Sequence, residues 1–545
     1  MHLLIDYALM TSAAVLALSV SWQVWKLIKS HKNLPGLPPG PGGLPIVGYL
    51  PYVRPNFHIQ FTQLAQKYGP IYKLWLGKKL CIVISSPSLV REVLRDHDTI
   101  FANRDITVTT LIGTYNGNDV GWSRYGPQWR TLRRLFVREM LSANSLDGSI
   151  NLRRDEVRKY IRNVCSETGR PVNISELAFQ INVNLLLSMA CGSTIELEER
   201  DKVGTEFPLL VERIFEVMGK SNISDYFPIL ARFDIQGIGK EMTRLMQILD
   251  RFLEDLIDKG TTILSDKVES GTNKGRKDFV QMLVELKEDD GGQMSLTKTQ
   301  MKAMLVNVIA GGTHTTSATV EWVMTELMSN PTVMEKVQEE LKQVVGLNNM
   351  VEEVHIPKLL YLDAVLKETT LLHPAGPFLS PRTPSESCMV GGYTIPKDSA
   401  IFLNIWAIQR DPVAWDNPLE FKPERFLGGD ENLDFGGKNF NYIPFESGRR
   451  ICAGLPLAER MLSYVLASLL HSFEWKLPEG EKLDMEDKFG SVLRRKTRCL
   501  LSHFPGLLIR ICTCNFVFEA ICNNWKMNKT LSLSTLFIMG KNYSK

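Results

Sequence analysis

The stretch Pro444-Phe445-Glu446-Ser447-Gly448-Arg449-Arg450-Ile451-Cys452-Ala453-Gly454 constrains this chain more than any other. One cysteine sits between two glycines, with an aromatic upstream and paired arginines beside it. From Leu455 to Leu470 the sequence runs apolar at helical spacing, so Cys452 is expected just before a helix N-terminus. Partial positive charge there, with loop N–H groups, favours thiolate over thiol. Gly448 and Gly454 allow turn geometry that a Cβ would block. Arg449 and Arg450 add positive potential, and Arg450 is suited to clamping a carboxylate. An isolated cysteine is ordinarily a small buried hydrophobe, but a thiolate with one open side suits a soft metal or haem iron.

The pattern Phe-x-x-Gly-x-Arg-x-Cys-x-Gly resembles the haem-binding signature of the cytochrome P-450 family. Phe445, Gly448, Arg450, Cys452 and Gly454 occupy its fixed positions. The resemblance implies haem b, its iron axially ligated by Cys452, inside a mainly α fold with small β-sheets. One departure lies within the motif. Glu446 stands where most relatives have glycine, and its carboxylate is expected to disfavour charge on the thiolate and to alter haem affinity or redox potential.

The 545 residues suffice for a large core. With 63 basic and 60 acidic side chains the net charge is only +3, which gives no argument for a nucleic-acid partner. Nine cysteines, an odd number without a Cys-x-x-Cys pair, point away from a disulfide framework and toward a reducing compartment.

Tyr7 to Trp25 is uncharged and mostly apolar, preceded by Asp6 and followed by Lys26, Lys29 and Lys32. As a helix it spans about 28 Å, close to the bilayer core. The basic flank predicts a cytosolic body by the positive-inside rule. A cleaved signal peptide is the alternative, disfavoured by the length of the apolar run. Residues 1–30 are thus expected to form a single-pass anchor in the endoplasmic reticulum membrane. Residues 31–50, rich in Pro and Gly, read as a stiff hinge similar to that of microsomal P-450 proteins. The catalytic body is expected over 51–505, and 506–545 as an atypical tail carrying no family motif.

Within the body, Ile71 to Ser85 reads as a β-hairpin broken at Gly77-Lys78-Lys79. Helices are expected after Pro127 and over Asn173 to Met189, Thr205 to Met218, Gly239 to Leu264 and Asp278 to Glu288. Trp129 and Arg133 lie four apart on one helix face. By residue type alone this is a basic solvated face; by resemblance the pair holds a haem propionate.

The longest helical pattern runs from about Leu296, capped by Ser295, to Asn330, where Pro331 stops it. Inside it, Gly311-Gly312 costs roughly 2 kcal/mol of helix propensity, which suggests a close approach or a kink. The run Ala310-Gly311-Gly312-Thr313-His314-Thr315-Thr316 resembles the family's oxygen-activation motif, with Thr315 as the proton-relaying threonine. His314 replaces the usual acid and is expected to carry protons near neutral pH.

Lys367-Glu368-Thr369-Thr370-Leu371-Leu372-His373-Pro374 resembles the Glu-x-x-Arg helix, but Leu371 stands at the arginine position. Arg425, in Phe421-Lys422-Pro423-Glu424-Arg425-Phe426, is the remaining cation expected to pair with Glu368. Weakened haem retention or folding, not a different fold, is the expected consequence. Pro381-Arg382 precedes a strand pair around Gly391 to Pro396, and by resemblance Arg382 is another propionate ligand. Ile106 to Val120, Ala375 to Leu379 and the region near Phe489 to Val492 are expected to line the substrate cavity.

The activity implied is hydroxylation of a small lipophilic plant metabolite, a terpenoid or a phenolic such as a flavonoid, using dioxygen. Electrons come from NADPH through a membrane-bound reductase; no Gly-x-Gly-x-x-Gly stretch offers the chain its own nicotinamide site. Two other readings stay open: a non-oxidative haem enzyme that rearranges an oxygenated substrate, motivated by His314, and a catalytically impaired haem binder, motivated by Leu371, Glu446 and the tail.

Overall fold

The computed structural model describes residues 36–505, apart from 193, 195–196, 270–277, 289–295 and 429–432, and in addition Ser12, Val15, Ser19 and Trp22, each helical. Most of the expected anchor, residues 31–35 of the expected hinge and all of the 506–545 tail lie outside the described residues.

Helices dominate, and their largest apolar cluster joins Ile174–Cys191, Lys298–Gly312, His314–Ser329 and Leu455–Ser472. Ile174–Cys191 is the one described helix long and apolar enough to cross a membrane, but 78% of it is buried against protein. It is a core helix, apolar all round because neighbours surround it. It packs on both halves of the long helical run and on Ile150–Ser166.

That long run is not one helix. Lys298–Gly312 and His314–Ser329 are separated at Thr313, whose φ of −90° and ψ of −73° stay right-handed but are displaced from regular helical values. The expected cap at Ser295 is also corrected. Thr297 accepts from the Gln300 N–H and the Gln300 side chain returns to the Thr297 backbone, so the reciprocal Thr-x-x-Gln box sets the start.

The principal sheet has five strands in the order Ile71–Leu76, Lys79–Ile84, Ala400–Leu403, Arg382–Thr383, Asn103–Arg104. The expected first hairpin pairs Ile71 with Ile84 through Leu76 with Lys79. At the far edge Asn103 pairs with Thr383 and Arg104 with Arg382. Cross-strand partners share a face, so the two arginine side chains leave the sheet together. The strand pair expected near Gly391 is a hairpin of Cys388–Val390 and Tyr393–Ile395, turning through Gly391 and Gly392, both at positive φ.

Candidate functional site

The cysteine loop is assembled by backbone contacts. Cys452 N–H donates to the Phe445 carbonyl at 2.9 Å, closing the loop on itself. Gly448, with φ of +69°, lies so near the Leu94 carbonyl that an added Cβ would sit 2.5 Å from it. Arg449 pairs with Asp98 at 3.0 Å beside this contact. The helix Leu455–Ser472 then begins, and the Gly454 and Leu455 N–H groups donate to the Cys452 sulfur.

Cys452 retains solvent access although protein crowds it. Burial pushes its pKa up; the two N–H donors and Arg133 pull it down, and Glu446 raises it further. The sequence-based concern about Glu446 therefore holds in sign but ranks behind burial. The expectation that a Cβ at 454 would block the turn is corrected: Gly454 has φ of −81°, and a Cβ there would stand 3.8 Å from the sulfur, an ordinary contact. A sulfur at a helix N-terminus, with two N–H donors and an accessible side, fits an iron ligand.

The residues expected to hold acid groups converge on the same loop. Trp129 Nε1 donates to the Val120 carbonyl at 2.9 Å, and Arg133 donates to the Ile451 carbonyl at 2.6 Å. Arg450 stacks over the Trp129 ring at 4.4 Å. Its guanidinium donates to the carbonyls of Ala102 (2.7 Å), Val120 (3.2 Å) and Ser123. Burial, with Arg104 and Arg382 nearby, lowers the Arg450 pKa to about 9. Arg382 is fully buried and donates to Glu446 and to the Phe101 carbonyl.

Arg104 is the site residue that sequence reasoning missed. Its Nη1 and Nη2 grip Glu446 at 2.8 and 2.7 Å, and its buried Nε has no protein partner. The only sequence signal was an arginine two residues after the buried Phe101-Ala102 pair, and no spacing ties it to position 446. Asp119 and Asn307 were missed too. Asn307 accepts from Val120 N–H at 2.7 Å and donates to Asp119 at 2.9 Å, fastening the segment beneath Trp129 to Lys298–Gly312. Glu446 itself has φ of +69°. A left-handed backbone costs a non-glycine residue roughly 1–2 kcal/mol, so glycine would be easier there.

On the helical run, Gly311 and Thr315 are exposed while most flanking residues are buried, so an opening faces this turn. Thr315 Oγ1 donates to the Gly311 carbonyl at 2.7 Å across the break at Thr313. His314 points elsewhere. Its ring lies between Phe179 and Phe215, with centroids 4.8 and 4.1 Å away, and its Nε2 has no hydrogen-bond partner. Burial lowers its pKa to about 3. The expectation of a proton carrier near neutral pH is thereby corrected: an apolar cage keeps this ring neutral.

Glu368 is fully buried and, among the described residues, its one ionic partner is Arg425, at 2.7 Å. It also accepts from Lys422 N–H at 2.9 Å. Leu371 packs instead among Trp415, Phe435 and Tyr442, with Phe445 of the cysteine loop against the same cluster. Burial outweighs the lone arginine and raises the Glu368 pKa to about 7. Of the expected cavity segments, two meet: Leu493 N–H donates to the Ala375 carbonyl, and the Phe378 and Phe489 rings are 6.2 Å apart.

A mainly helical body, a glycine-flanked cysteine at a helix N-terminus and a helix opened at Gly311–Thr315 define a haem-thiolate protein of the oxygen-activating class. The family model for Cytochrome P450 matches residues 38–502. A flavonoid 3'-monooxygenase of Petunia hybrida is 38% identical over 483 residues, covering 86% of this chain and 92% of the relative. Ferruginol synthase of Isodon rubescens is 38% identical over 467 residues, 84% of this chain and 92% of that one. A zebrafish cytochrome P450 solved with progesterone has a TM-score of 0.68 at 27% identity, over 82% of this chain and 99% of that chain.

The chain belongs to the cytochrome P450 family. It is by that membership a monooxygenase whose cofactor is haem on a cysteine thiolate, supplied with electrons from NADPH by a reductase.

Proposed function

We propose that the protein hydroxylates a small lipophilic plant metabolite, a flavonoid-like phenolic or a terpenoid, at the iron of a haem held by Cys452. The observation that carries this reading is the Cys452 sulfur, which receives two N–H groups at the start of Leu455–Ser472 and keeps an accessible side. The relatives named for flavonoid and ferruginol chemistry support the substrate class. Arg133 would hold the acid edge of the porphyrin, with Arg450 stacked over Trp129 behind it and Arg382 beside them. Phe445, Gly448 and Gly454 shape the loop, Glu368 and Arg425 brace the body beneath it, and Thr315 hands protons toward the opening at Gly311.

Replacing Cys452 with serine should abolish the red-shifted Soret band of the reduced, carbon monoxide-treated protein, together with NADPH-dependent product formation. Retention of both would end this reading. A panel of phenolics and terpenoids, screened by haem spectral shift and then by turnover, identifies the substrate.

The anchor reading places residues 1–30 in the endoplasmic reticulum membrane, with 31–50 as hinge and the body in the cytosol. Exposed Leu44, Ile46, Tyr52, Ile229, Phe233 and Ile235 support it. Their two segments are tied through the turn at Gly77, which donates to the Val47 carbonyl, and Lys78, which donates to that of Tyr226. Exposed apolar side chains on neighbouring segments are suited to a bilayer surface. The 506–545 tail has no catalytic role in this reading.

A second reading, a haem enzyme that rearranges its substrate without reductase, draws on His314, whose caged neutral ring supplies no acid beside Thr315. Product formation that requires both NADPH and the reductase excludes it.

A further inference from the structure

Arg104 and Arg382 stand opposite each other at the edge of the five-stranded sheet, and both are buried. Two like charges so placed, away from water, repel unless an anion lies between them. The anion is Glu446. Its Oε1 accepts from Arg104 Nη1 and from Arg382 Nε, each at 2.8 Å, and its Oε2 accepts from Arg104 Nη2 at 2.7 Å. Glu446 reaches this position from a left-handed backbone, and its side chain is buried with the two arginines. The neighbouring cation is engaged as well, since Arg450 donates to carbonyls at 102, 120 and 123. Arg133, by contrast, has the single acceptor Ile451.

A carboxylate gripped by two guanidinium groups, six residues before the iron-ligating cysteine, is chemically what one acid arm of a porphyrin would present to the same pair. We infer that Glu446 is a resident counter-ion that takes the place of one porphyrin carboxylate at Arg104 and Arg382, so that this chain recognises haem mainly through the Cys452 bond and its other edge. The inference rests on the haem-thiolate reading. It makes Glu446 a positioning residue that sets which porphyrin the site prefers. A second carboxylate arriving beside Glu446 would meet like charge, with Arg104 Nε as the one donor left to it on that pair among the described residues.

The test compares two cofactors that differ only in those acid arms. Full-length apoprotein in detergent is titrated with haem and with haem dimethyl ester, and uptake is followed at the Soret band. Wild-type protein should bind haem no more than about threefold tighter than the ester, whereas Glu446→Gln should prefer haem by about tenfold or more, the factor a hydrogen bond between charged groups is worth. Glu446→Gly, which also relieves the left-handed backbone, should behave like Glu446→Gln and guards against a folding defect in either variant. A wild-type preference for haem as strong as that of the variants overturns the proposal, and this arm needs no variant. Uptake of neither porphyrin by any of the proteins overturns the haem reading and the proposal with it.

Discussion

Glu446 and Glu368 are both buried carboxylates, yet the protein holds the first charged and the second near the midpoint of its titration. Glu446 lies between Arg104 and Arg382, and their combined field keeps its pKa below the ordinary value despite burial. Glu368 has Arg425 alone, and burial wins, lifting its pKa to about 7. The lesson is one of stoichiometry: a single guanidinium does not offset full desolvation of a carboxylate here, while two do. Leu371 is the reason for the shortfall, since it fills with hydrocarbon the position where the family's Glu-x-x-Arg pattern has a second cation.

The sharpest break of this comparison removes one arginine from each cluster. Arg425→Met should cost about 3 kcal/mol in denaturant unfolding at alkaline pH, because Glu368 is left without an ionic partner. At lower pH the loss should shrink, as Glu368 escapes by taking up a proton. Arg104→Met should cost less, about 1–2 kcal/mol, because Arg382 still faces Glu446. Equal costs would mean that the second arginine adds nothing.

The two sites should also tilt stability oppositely with pH. The Glu368 pKa is raised on folding, so its contribution is fully present below the unfolded value of about 4.3 and is lost as pH rises through about 7. At most about 4 kcal/mol is at stake, at roughly 1.4 kcal/mol per unit. The Glu446 pKa is depressed, so its contribution is present above the unfolded value and is lost as pH falls through the folded one. Leu371→Arg should lower the Glu368 pKa, flatten the decline between about pH 5 and pH 8, and add about 1 kcal/mol at the upper end after the lost apolar packing is deducted. Haem content per chain should rise with it. An unchanged pH slope would show that residue 371 does not govern Glu368.

The smallest effect belongs to a third buried group, whose Nε2 finds no hydrogen-bond partner among the described residues. His314 is neutral between Phe179 and Phe215, so His314→Leu should change stability by less than about 1.5 kcal/mol and leave the pH profile of turnover unmoved. A shifted profile would restore His314 to proton transfer.

What could be read from the sequence was what lies close along it. The cysteine loop, the helix after it and the missing arginine at Leu371 are each contained within one short continuous stretch, and the structure has Glu368 paired with Arg425 as expected. The fate of Glu446 was not legible, because its partner Arg104 is 342 positions away and meets it only through a two-residue strand pairing. His314 was misread for a related reason. Residue type gives a titration range, but the cage that moves it comes from Phe179 on one helix and Phe215 on another. Helical periodicity likewise continued through Thr313, where the regular helix is interrupted for one residue.

The near-touch between Gly448 and the Leu94 carbonyl has a consequence for how such a site tolerates change. The depth at which sulfur sits is gauged by main chain resting on main chain, so side chains around the loop can be exchanged, as at 446, without tilting the ligand. Any side chain at 448 would wedge the loop outward and carry the sulfur with it. The metal-bearing geometry thus tolerates less variation at its smallest residue than at its most highly charged ones.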